Sequence, residues 1–156
     1  MEERLKVFIA ELDAQWREIH KMQSSVYEKS VLLKSDLKNE DLTNSLAYKL
    51  HNLYSAYEDL FKLIARFFEN QIQDLGGYHS GLINRMKIPI DGVRPELLSD
   101  DSFTILDEMR GFRHVFRHAY SYELDAERVL RISEKAVLLK DIFDKNYASF
   151  REKILK

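Results

Sequence analysis

An all-α bundle is the fold class this sequence predicts, and three observations carry the prediction. Apolar residues recur at helical spacing through most of the chain. Glycine and proline are scarce, five and two residues respectively, which favours long uninterrupted helices over strands and tight turns. At 156 residues, 45% of them apolar and 32% charged, the chain is long enough for one real core beneath a well-solvated outside. The expected architecture is an antiparallel bundle of four long helices plus a short one, a single domain over residues 1–156.

The first helix is expected from near the N-terminus to about Lys34. Leu5, Phe8, Leu12, Trp16, Ile19, Gln23 and Val26 follow steps of three and four, an apolar stripe with one polar interruption. Residues 34–41 then read as a loop in which Asn39 is a plausible cap for the next helix. The second helix carries a sustained seam, Leu46, Leu50, Leu53, Tyr57, Leu60, Ile64 and Phe67, widened by Tyr54, Phe61 and Phe68. So broad a stripe packs against several neighbours, and Gly76-Gly77 is expected to end the helix.

Residues 78–87 predict a shorter helix. Both prolines, Pro89 and Pro95, lie between Lys87 and Asp101, the one long irregular connection and a segment of functional interest. A fourth helix is expected to open near Ser99 to Ser102. A fifth opens at the Asp125 cap, with Ala136, Leu139, Phe143, Tyr147, Phe150 and Ile154 inward.

Several function classes are disfavoured. Without cysteine there is no disulfide or thiolate chemistry, and a reducing cytoplasmic location is expected. No signal-peptide pattern opens the sequence, and no run approaches the length of a membrane span, so no membrane partner is expected. A net charge of −2 argues against a protein coated with nucleic acid while leaving room for a local basic site.

Such a site stands out between Met109 and Tyr122. Arg110, Arg113, His114, Arg117 and His118 fall there with no acidic residue among them. In projection Ile105, Met109, Phe112, Phe116 and Ala119 form a core-facing side, Arg110, Arg113, Arg117 and Tyr120 an adjoining stripe, and His114 with His118 a strip beyond it. An ordinary solvated face, balanced by acids such as Glu108 and Glu123, is one reading. Arginines bunched without partners repel one another, however, and guanidinium prefers bidentate contact with phosphate oxygens. A phosphate ligand, or acids from another chain, would explain the bunching. An imidazole beside them can move a proton near neutral pH while guanidinium stabilises charge on a phosphoryl group. Metal is disfavoured, because adjacent arginines repel a cation and no carboxylate completes a ligand set, so no cofactor is expected. Arg113 and His118 lie about 140° apart on a regular helix. They share a site if the helix ends near His118, or if two copies meet across a dimer.

The run Arg113-His114-Val-Phe-Arg-His118-Ala-Tyr120 resembles the motif of the HEPN superfamily of helical-bundle ribonucleases, and within it the HepT-like toxins. Residues 122–125 look like the segment leading into the last helix of these proteins. Tyr78-His79-Ser-Gly-Leu-Ile and Arg94-Pro95-Glu-Leu-Leu-Ser resemble other recurrent segments, so the likeness spans the chain from about Leu46 onward. It implies a homodimeric, metal-independent endoribonuclease acting on RNA, with Arg113 holding the scissile phosphate and His118 as acid or base. His114, Arg110 and Arg117 would support phosphate binding. It further implies a minimal nucleotidyltransferase antitoxin that silences the toxin by adenylylating Tyr120. The family also contains substrate-binding or regulatory partners of nucleotidyltransferases, which is the alternative function. A plain interaction bundle, its arginines meeting acids of a partner, is a third.

Outside the stretch, His79 is a possible cleft residue against a structural role. His20 and His51 are expected at the surface or hydrogen-bonded. Trp16, Tyr54 and Tyr57 follow the helical stripe and read as core or interface. Arg94 is weighed between reaching the cleft and plain exposure.

Overall fold

The computed structural model describes residues 2–69, 78–119 and 123–156, with residues 78–80 described by their backbone. Among them are five α-helices and no strand. They are α1 (Glu3–Lys34), α2 (Glu40–Glu69), α3 (Tyr78–Lys87), α4 (Asp100–Arg117) and α5 (Ala126–Ile154). The predicted bundle of four long helices and a short one is thus the observed one. Gly76-Gly77, the expected end of the second helix, lies outside the described residues.

Local chemistry sets the helix starts. The Asn39 side-chain oxygen accepts from the Leu42 N–H at 3.1 Å, that of Ser99 from Ser102 at 3.3 Å, and that of Asp125 from Glu127 at 3.0 Å. Each satisfies a first-turn donor that has no partner within its helix.

α2 is the central element and touches all four others, as its wide stripe requires. Leu46, Leu50, Leu53, Tyr54, Tyr57, Leu60, Phe61 and Ile64 are all buried there. α1 and α5 pack antiparallel. Asp13 on α1 pairs with Arg151 on α5 at 3.0 Å, and Asp144 on α5 accepts from Trp16 Nε1 at 3.0 Å and from His20 Nε2 at 2.7 Å. The polar interruption of the first stripe, Gln23, is buried; its amide donates to the Tyr57 hydroxyl and the Ala136 carbonyl, both at 2.9 Å. The hydrogen bonds offset the cost of burying its nitrogen, while Oε1 is buried with no partner among the described residues. On α5, Ala136, Leu139, Phe143, Tyr147 and Phe150 are buried as expected, and Ile154 is partly buried.

The irregular connection between α3 and α4 is built around Arg94. Neither in the cleft nor exposed, this side chain is fully enclosed. It pairs with Glu69 at the end of α2 at 2.9 Å, and donates to the carbonyls of Arg85, Ile88 and Pro95. Such a connection has backbone oxygens that no helix satisfies, and one buried guanidinium with five donors serves several of them at once. Gly92, at φ 76, makes the tight reversal that brings Ile90 and Arg94 into an antiparallel bridge. Leu97 and Leu98 then tie back to the Met86 carbonyl and are buried. The segment is a strut that fixes where α4 begins.

Candidate functional site

α4 enters the bundle through Leu106, Met109 and Phe112, which are buried, with Ile105 and Phe116 only partly so. The inward side is therefore rotated slightly from the projected one, and takes in Leu106. The opposite side carries the basic residues.

Arg110, Arg113, His114, Arg117 and His118 line one recess of about 140 Å³. Arg113 and His118, about 140° apart in projection, both line it from the two edges of one broad helix face. The helix closes at Arg117, and His118 is its C-cap, with φ −110 and ψ 15 and its N–H bonded to the Val115 carbonyl at 3.2 Å. Both residues thus reach the recess within one chain, His118 from the C-cap position.

The imidazoles of His114 and His118 lie 4.4 Å apart, centroid to centroid. His118 Nδ1 is 3.0 Å from the His114 carbonyl oxygen. A carbonyl only accepts, so Nδ1 carries the hydrogen and Nε2 is left as the nitrogen that can take or return a proton.

Two of the three arginines are paired within the chain, and for them the expectation of unpartnered charges is corrected. Arg110 pairs with Asp107 one turn earlier at 2.9 Å. Arg113 pairs with Glu58 of α2 at 2.6 Å, the carboxylate being 2% exposed and the guanidinium 17%. The balancing acids are thus Asp107 and Glu58 of the same chain. Glu108 instead pairs with Lys135 of α5, and Glu123 is exposed. Asp107 lies just outside the acid-free run, and Glu58 is 55 positions away, so a window of sequence around the motif misses both. Arg117 is exposed and has no ion pair among the described residues.

Arg113 is held on more than one side. Glu58 takes Nη1, and the Tyr54 ring lies 5.8 Å from Cζ. Its Nε is buried with no hydrogen-bond partner among the described residues. The side chain is 17% exposed and lines the recess, so the part of the guanidinium that Glu58 does not take can face an anion there. Burial, then the nearby Glu58 carboxylate, push the Tyr54 hydroxyl above the ordinary tyrosine range, so it stays neutral.

Three α2 residues in this region escape a motif-centred reading. Glu58 had a signal, because it sits in the stripe Tyr54, Glu58, Phe61, Ala65, Phe68, where an acid on an apolar face calls for a buried cation. His51 packs against Phe116, ring centroids 5.4 Å apart. Burial, then the Arg113 and Arg117 charges, hold its pKa below the ordinary histidine value against an opposing pull from Glu58. Tyr48 also lies near Phe116, ring centroids 6.5 Å apart, and is 57% exposed. Nothing in their spacing along α2 marks these two.

Tyr120 lies outside the described residues, and so does the side chain of His79, which is placed only by its backbone at the start of α3. Arg94 lies in the strut and is not among the residues lining the recess. Among the described residues no group of three or more His, Asp or Glu side chains is placed to hold a metal ion, and no helix is long and apolar enough to cross a membrane.

A family model described as HepT-like protein matches residues 45–154, from early α2 to the end of α5. No curated protein and no solved structure matches the chain.

Proposed function

The chain belongs to the HepT-like family of the HEPN superfamily, and from that premise we propose that it is a metal-independent endoribonuclease toxin acting as a homodimer. One observation carries the reading: an arginine anchored by a buried carboxylate and a histidine with a defined free nitrogen line the same recess. Arg113 holds the scissile phosphate. His118 Nε2 takes the proton of the adjacent ribose 2′-hydroxyl as its oxygen attacks phosphorus. The bond to the 5′-oxygen breaks, that oxygen is protonated by an imidazolium, and a 2′,3′-cyclic phosphate remains. Entering and leaving oxygens lie on opposite sides of phosphorus, so the second proton calls for a second imidazole, which a twofold pairing of recesses supplies. Charge building on the phosphoryl oxygens meets Arg113 and Arg117.

Family membership also supports regulation by a minimal nucleotidyltransferase antitoxin that adenylylates Tyr120, two residues beyond His118. The added phosphate would find the arginines and occupy the place of RNA. The second reading, a non-catalytic partner that holds nucleotide phosphate for the transferase, draws on the same Arg117, exposed and without an ion pair among the described residues.

Purified protein incubated with RNA in excess chelator separates the two. The nuclease reading expects cleavage that falls by at least about 100-fold in His118→Ala, the scale of one general acid–base group. Intact RNA after incubation with wild-type dimer, together with growth unaffected by its expression, sinks it. Co-expression with the transferase should add one adenylyl mass, and Tyr120→Phe should abolish the addition.

A further inference from the structure

Phe116 and its two flanking rings are not used by this chemistry. Around α4 the order is Phe116, Arg113, Arg117, His114, His118, from projection at about 100° per residue. Phe116 therefore borders the phosphate-holding side directly. Its ring is half-buried and meets His51 and Tyr48 of α2, with planes tilted by 31° and 51°. His51 is near enough to Arg113 and Arg117 for their charges to depress its pKa. The outermost ring, Tyr48, offers 57% of its surface to solvent. An aromatic strip thus runs alongside a cationic one, with a firmly backed ring at its open end.

Stacked bases within a duplex cannot reach such a ring, whereas an unpaired base can turn onto it while its phosphate stays on the arginines. We propose that Tyr48, backed by Phe116, is a stacking platform for an unpaired base next to the scissile phosphate. This rests on the ribonuclease reading and adds a residue, outside the motif, that holds the RNA. The charge of the neighbouring side chains favours a polyanion over an apolar partner, since Arg113 and then Arg117 follow Phe116 around the helix surface. The tyrosine keeps its function through its ring, not its hydroxyl.

The test uses a short oligoribonucleotide carrying 2-aminopurine beside the cleaved bond, whose fluorescence falls when the base stacks. Binding is measured in the His118→Ala background, so that nothing turns over, and cleavage in the otherwise wild-type chain. Tyr48→Ala should raise both Kd and KM roughly 5- to 100-fold, the weight of one stacked base, with kcat little changed. It should also remove the quenching, while Tyr48→Phe retains both. The oligomer annealed to its complement should bind more weakly and show no dependence on Tyr48. Unchanged Kd and quenching in Tyr48→Ala, with wild-type cleavage intact, overturn the platform and leave the ribonuclease reading standing. A smaller assembly in sedimentation at unchanged Kd assigns the ring to a subunit contact and equally overturns it. Binding and Tyr48-dependent quenching without any cleavage by wild type support the platform and fail the nuclease reading instead.

Discussion

Glu58 and Arg113 join a stability problem to a functional one. A buried carboxylate with its cation removed leaves an uncompensated charge, which costs about 3–5 kcal/mol. Arg113→Ala therefore tests folding as much as function. Arg113→Met combined with Glu58→Leu removes both charges and keeps the volume, and should recover most of the stability lost by Arg113→Ala. Urea denaturation of the single and double variants checks this, and the double variant should still fail to cut RNA. Recovered stability with recovered cleavage would show that the guanidinium is structural only. The neighbouring imidazole behaves differently: His118 is exposed at a helix end, so His118→Ala is expected to leave stability within about 0.5 kcal/mol while removing the proton carrier.

At the scale of elements, the two ends of α4 have separate duties. Its start is fixed by the Ser99 cap and by the strut that Arg94 organises; its end places His118 at the rim of the recess that Arg113 also lines. Ser99→Ala should cost about 1 kcal/mol, seen as a fall of roughly 2–4 °C in Tm, with cleavage at lower temperature unaffected. The strut adds an acid-sensitive term. Burial alone would raise the Glu69 carboxyl, but hydrogen bonds from Arg94 and Arg85 hold it below its ordinary value of 4.5. Its contribution is complete above that value. As pH falls below it, the unfolded chain takes up the proton first, and stability drops until the folded carboxyl protonates as well. Denaturation midpoints between pH 3 and 6 should fall less steeply in Glu69→Gln than in wild type.

Helix starts were legible in the sequence because a cap acts within three residues. Asn39 and Asp125 are read correctly from their neighbours, and Ser99 falls within the short span, Ser99 to Ser102, in which a cap is expected. The seam of α2 was equally legible, since its periodicity is a local signal of burial. What escaped is long-range pairing. Arg94 meets Glu69 across 25 positions and Arg113 meets Glu58 across 55, so neither the buried strut nor the compensated arginines can be read from a motif. The slight rotation of α4 that buries Leu106 is likewise set by packing, not by its own pattern.

For the molecule as a whole, α2 is the scaffold against which the site is assembled. It contributes the carboxylate that orients Arg113, the rings that flank Phe116, and the seam that holds α4 in register. The family match begins at residue 45, so the matched segment contains every residue placed at the recess and on the aromatic strip. α1 closes the remaining side of α2 and α5 through Gln23, Asp13 and Trp16, away from the recess. The end groups of the RNA products test the central claim most directly. Wild-type protein incubated with RNA in excess chelator should leave 2′,3′-cyclic phosphate on one fragment and a 5′-hydroxyl on the other, with neither formed by His118→Ala. Fragments bearing 5′-phosphates, or cyclic ends formed equally by the His118→Ala protein, would contradict it.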